Sequence, residues 1–109
     1  MDLNEQKAET EQVFREISQM ETVPEAACIN FQFVAEEDQA DWDGFTEAAE
    51  ALGYTVEWFD AEDEDEACVE ITTAMGPLSL DILWAHEEKL TLMGAIYGFG
   101  ADGWGFFSE

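Results

Sequence analysis

Three short patterns in this sequence do chemistry in other settings, and each lacks a part here. Gly98, Gly100 and Gly103 spell G-x-G-x-x-G. That spacing brings backbone amides up to a pyrophosphate when it follows a strand and opens a helix. Here it follows a helical pattern, and only 104–109 come after it, too little for a phosphate-binding helix. His86-Glu87-Glu88-Lys89-Leu90 begins like a zinc-protease helix, but Leu90 stands where the second imidazole belongs, and His86 is the sole histidine. Asp60 to Glu66 is rich enough in carboxylates to suggest calcium. A twelve-residue loop counted from Asp60 puts Asp65 at the obligatory glycine and Ile71 at the bidentate glutamate. No metal and no cofactor is expected.

Nucleophilic catalysis fares no better. Ser18, Ser79, Ser108, Cys28 and Cys68 have one histidine between them to act as base, and no G-x-S-x-G elbow is present. The two cysteines form no C-x-x-C pair and no secreted disulfide framework. Carboxylates are so numerous that no pair is marked as acid and base. The sequence predicts a protein that is not an enzyme.

The chemistry that remains is electrostatic. Twenty-seven acids face three bases, Lys7, Arg15 and Lys89, for a formal net charge of -24 over 109 residues. Residues 36–66 hold fourteen acids and no Lys or Arg. Glu36, Glu37, Asp38 and Asp41, with Asp60, Glu62, Asp63, Glu64, Asp65 and Glu66, are the candidate binding residues. Free nucleic acid and anionic membranes are repelled by such a surface, whereas a basic protein surface is steered toward it. A chain that is 47% apolar, with eight Phe and four Trp, has a core to fold around and is no disordered tail. The start lacks the basic and apolar regions of a signal peptide, and no apolar run approaches the ~18 residues of a membrane span. The expected location is the cytoplasm.

Elements must hold these charges in place. Residues 3–20 read as a helix with a thin apolar stripe, Leu3, Val13, Phe14, Ile17 and Met20, an appendage ended by Pro24. In 27–35, Ile29, Phe31 and Phe33 alternate with Asn30 and Gln32, the mark of a half-buried strand. A helix with Asp38 as its capping candidate follows, with Trp42, Phe45, Ala49 and Leu52 on one face and Gly53 at its end. Strands are expected from Tyr54 and over 68–75, broken by Gly76 and Pro77. A helix over 79–97 with Leu83, His86, Leu90, Met93 and Tyr97 on one face leads to a short last strand, GWGFFSE. The order β-α-β-β-α-β predicts an α+β, ferredoxin-like fold. It has a four-stranded antiparallel sheet with two helices on one face, so that 25–109 form a domain preceded by an N-terminal helix in 1–24.

Two motifs resemble a known family. Leu52, Gly53, Tyr54 and Val56 match a helix-to-strand junction, and Asp102, Gly103, Trp104 and Gly105 match a closing D-G-W-G strand, of the regulators of ribonuclease E activity, type B. With LDILWAHEEKLTLM at 80–93, the similarity spans roughly 27–109. The resemblance implies a ferredoxin-like fold, no catalysis, and inhibition of an RNA-degrading endonuclease through its protein scaffold. The expected partner is then a basic protein surface on a ribonuclease E-type enzyme, without direct nucleic-acid binding. Two alternatives from other classes are a small-molecule sensor, pairing as a homodimer through its sheet, and an acidic domain with no dedicated partner.

Overall fold

The alternation in ACINFQFVA decides how the sheet is built. The structure, a computed structural model, describes residues 3–20, 22–36, 39–59 and 67–107. Along them run α1 (Leu3–Met20), β1 (Ala26–Ala35), α2 (Trp42–Ala51), β2 (Thr55–Phe59), β3 (Cys68–Thr72), β4 (Gly76–Pro77), α3 (Leu80–Ile96) and β5 (Phe99–Phe107). β1 is the central strand. It pairs antiparallel with β3 on one edge and with β5 on the other, and β2 pairs antiparallel with β3.

Residues opposite one another on antiparallel strands share a face. Phe31 stands opposite Ile71 and Trp104, and Ile29 opposite Phe106, so one face is apolar and aromatic. Asn30, Gln32, Glu70 and Thr72 line the other face, where the Asn30 amide donates to Thr72 Oγ1 at 3.0 Å. Ile29, Phe31 and Phe33 join Phe45 and Ala49 of α2, Leu83 and Leu90 of α3, and Phe99 in one core cluster. Phe45 is its hub. Its ring meets Phe33 edge-on at 5.2 Å and lies 5.0 Å from Phe99, and Tyr97 stacks on it at 6.1 Å.

The sheet has a fifth strand that the sequence did not announce. Gly76 and Pro77 do not simply break the chain: they pair with Ala27 and Ala26 as β4. Between β3 and β4 the ladder is carried by Thr73, whose amide donates to Ile29 O and whose hydroxyl accepts from Ile29 N, both at 2.9 Å. The side chain thus stands in for a backbone carbonyl while the register slips by one residue. The last strand is also longer than expected, beginning at Phe99 and not at the D-G-W-G segment.

Helix ends explain the junction motif. α2 is capped by Asp41, not Asp38: Asp41 Oδ1 accepts from Gly44 N at 2.9 Å. Asp41 is the residue directly before the first helical turn, where a carboxylate can reach the third helical amide. At the other end Tyr54 N donates to Ala49 O and Gly53 N to Glu50 O, with Gly53 at φ 95°. This is a Schellman closure, and a left-handed residue is needed there, which favours glycine. Leu52-Gly53-Tyr54 is therefore a helix stop that drops Tyr54 into the core. Removing the cap with Asp41→Ala should cost about 1 kcal/mol in denaturant unfolding, while Asp41→Asn should restore most of it.

Candidate partner-binding site

A cleft of about 520 Å³ opens between α1 and β5. Phe31 and Phe33 form its floor, Trp104 of β5 lines one wall, and Glu9 and Val13 of α1 line the other. Trp104 is half-buried and stacks with Phe106 at 6.4 Å. Carboxylates surround this aromatic floor: Glu5 and Glu9 from α1, Glu36 from the end of β1, Glu87 from α3 and Asp102 from β5.

Two of these carboxylates have identifiable neighbours. The exposed Glu36 carboxylate lies against Gly100, whose missing side chain leaves room for it. Its amide is fixed by Gly98 O at 2.9 Å. Glu87 is the deeper one, 5% exposed. Its Oε1 accepts from the Thr10 hydroxyl and its Oε2 from the Gln6 amide, both at 2.7 Å, and Gln6 also donates to Thr91 Oγ1 at 3.0 Å. Burial pushes the Glu87 carboxyl above the ordinary carboxylate range; the bonds from Thr10 and Gln6 pull the other way, and nearby Glu9 adds to the rise. α1 is thus docked chiefly by polar groups in its first half. Its apolar stripe does less than expected, since Val13 is 42% and Met20 84% exposed, while Phe14 packs against the core.

The predicted binding residues divide between placed and undescribed ones. Glu36 and Asp41 are exposed on the connection between β1 and α2, which Asp41 N and Glu36 N tie to the end of α3 through Tyr97 O and Gly98 O. Glu37, Asp38, Asp60, Glu62, Asp63, Glu64, Asp65 and Glu66 lie outside the described residues. In the D-G-W-G segment, Gln32 pairs with Gly103 and Phe33 with Ala101, so Asp102 is the extra residue of a β-bulge and is exposed. Gly103 is exposed, and Gly105 is half-buried opposite Asn30. A bulge on an edge strand twists it and discourages further pairing.

The motifs set aside above have structural uses. Gly98, at φ 88°, ends α3, and Gly100 makes room for Glu36. His86 Nδ1 lies 2.6 Å from the Tyr54 hydroxyl, and the rings meet edge-on at 5.6 Å. Burial, then the charge of Lys89, lowers the imidazole pKa and so favours the neutral ring. Lys89 itself sits 5.9 Å over the Tyr54 ring. Cys68 stands opposite Val34 of β1 and Cys28 lies six positions away on the same strand, about 20 Å along it. Neither thiol is in a disulfide.

Among the described residues, the only ion pair is the exposed Arg15–Glu11 contact at 3.7 Å on α1. The cleft carboxylates Glu9, Glu36 and Asp102 have no such cationic neighbour. Among those residues, too, no three His, Cys, Asp or Glu side chains converge to hold a metal, and no helix is long and apolar enough to cross a membrane.

The search among curated proteins finds no match to the chain. A family model does match it, over residues 7–106, from the middle of α1's first half to the penultimate residue of β5. That span takes in the helix stop at Gly53, the α1–α3 contact and the bulged last strand, and by it the chain belongs to the family described as regulator of ribonuclease activity B.

Proposed function

We propose that this protein is a non-catalytic cytoplasmic regulator that restrains a ribonuclease E-type enzyme by covering a basic surface on its protein scaffold. Family membership is the observation that carries the ribonuclease part. The means is supported by charge: a net -24 with three bases, of which Arg15 is engaged on α1 and Lys89 sits over Tyr54. The acids of 36–66, beginning with Glu36 and Asp41 beside the end of α3, are the proposed contact residues. They are joined by Asp102, Gly103, Trp104 and Gly105 on the neighbouring strand. The order β2-β3-β1, with β5 on the far side of β1, supports reading 25–109 as a ferredoxin-like domain with β4 as an addition.

The test is RNA cleavage by the full-length enzyme and by its catalytic part alone, each with the chain added. Slowing of the full-length enzyme only is expected, with the RNA left intact by the chain itself. Equal slowing of both forms would contradict action through the scaffold, and cleavage by the chain alone would contradict the whole reading.

A further inference from the structure

We propose that the cleft between α1 and β5 is an arginine socket. It takes one guanidinium of the basic partner against the Trp104 ring, with Glu36 and Asp102 as its ion-pairing rim and Glu87 at its inner end. This rests on the reading that the partner surface is basic, and it names where that surface is gripped.

Four observations converge on it. The volume, about 520 Å³, falls in the range of roughly 300–1,000 Å³ typical of sites for small ligands, ample for one side chain and its water. The lining pairs a half-buried indole with carboxylates, the combination that suits a planar cation: its face stacks on the ring while its edge donates two parallel hydrogen bonds to a carboxylate. One of those carboxylates, Glu36, lies against Gly100 and springs from a backbone tied to Gly98 O at 2.9 Å. Another, Glu87, is buried at 5% exposure and held by Thr10 and Gln6. A cation entering beside it offsets the desolvation of that charge. Finally, among the described residues the exposed carboxylates Glu9, Glu36 and Asp102 have no ion-pair partner, which leaves them open to a cation brought by a partner. Lysine fits less well, because its compact ammonium is strongly hydrated and has no planar face to lay on Trp104.

The test uses the full chain, ¹⁵N-labelled, with three short peptides identical except for one central residue: arginine, lysine or uncharged citrulline. The arginine peptide should shift the Trp104 indole signal and bind about tenfold more tightly than the lysine peptide, with citrulline weaker still. Glu36→Gln should weaken the arginine peptide about fivefold or more, and Trp104→Leu likewise. Glu88→Gln, an exposed change on α3 outside the cleft, should leave binding within a factor of two. Equal affinity for arginine and lysine would overturn the socket, and so would Glu88→Gln weakening as much as Glu36→Gln. If either occurs while the full-length ribonuclease still binds, the socket falls and the general acidic-surface reading stands. If the ribonuclease itself fails to bind at low salt, the function proposed above falls with it.

Discussion

Phe45→Ala should leave little or no folded protein at 37 °C. Truncating a fully buried Phe costs about 3–5 kcal/mol, against a total stability of ~5–15 kcal/mol for a domain of this size. Phe45 is 0% exposed and its ring touches Phe33 of the central strand, Tyr97 at the end of α3 and Phe99 at the start of β5. One ring therefore joins α2 to the sheet and to both ends of the α3–β5 turn. Neighbours on three elements cannot collapse into the void together, so the cost should lie in the upper part of that range. Phe45→Leu, which refills most of the volume, should recover more than half of the loss. Thermal unfolding followed by near-ultraviolet dichroism checks both; a loss under about 1 kcal/mol for the alanine variant would show that the hub assignment is wrong.

The second large effect is expected at Glu87. Glu87→Ala strands the buried Thr10 hydroxyl, leaves Gln6 with Thr91 alone and opens a cavity on α3, and an unmet buried polar group costs about 1–3 kcal/mol. A total loss of about 2–4 kcal/mol follows, with α1 becoming cleavable by protease before the rest of the chain. Glu87→Gln keeps the shape and one acceptor oxygen for Gln6, while its NH2 can donate to the Thr10 hydroxyl in place of the lost second acceptor, and it should cost far less. The pH dependence has a definite sign. Because the folded-state pKa lies above the ordinary carboxylate value, the folded chain takes up this proton at a higher pH than the unfolded chain does. Its contribution to stability therefore falls as pH rises from the ordinary carboxylate range through the raised pKa, and is regained on acidification. The wild type should gain stability between neutral and mildly acidic pH, partly from Glu87 and partly from relief of general repulsion, while Glu87→Gln gains less. Identical pH profiles for the two would mean that Glu87 titrates as an ordinary surface group.

What the sequence makes legible follows from which interactions are local. The alternation of Ile29, Phe31 and Phe33 is an i, i+2 pattern, and it names the central strand and its buried face correctly. The steps from Trp42 to Phe45 to Ala49 do the same for α2, although Leu52 proves to be a 53% exposed cap residue. The helix stop at Gly53 and the aromatic last strand could also be read from neighbouring residues. The face read for α3 also turns inward, with Leu83 and Leu90 in the core and Met93 and Tyr97 packed against it, but the further buried positions beside that face were not legible. Apolar residues lie nearly all around it, and its buried positions include Glu87, Thr91 and Gly94. Gly94 is there because a Cβ would come within 3.2 Å of Phe45 Cζ and 3.5 Å of Phe33, a demand set by two residues far away in sequence.

The site was legible only in part for the same reason. The D-G-W-G segment stands out by composition, and Trp104 does line the cleft. Glu87 was visible only as a member of a failed zinc motif, because its partners Gln6 and Thr10 lie 81 and 77 residues away. Two i, i+4 polar pairs, Glu87 and Thr91 on one helix and Gln6 and Thr10 on another, are the one local hint. The bulge at Asp102 and the seat of Glu36 on Gly100 depend on strand register, which single-sequence patterns do not reach.

The account stands or falls on attraction between this carboxylate-rich chain and a cationic ribonuclease surface. The direct measurement is the affinity of the two intact proteins as sodium chloride is raised from about 50 to about 500 mM, a range over which the screening length shrinks about threefold. A drop of about a hundredfold or more, mostly in the association rate, is the result predicted. Tight binding that ignores salt, or none at the lowest salt, is the result that would contradict it.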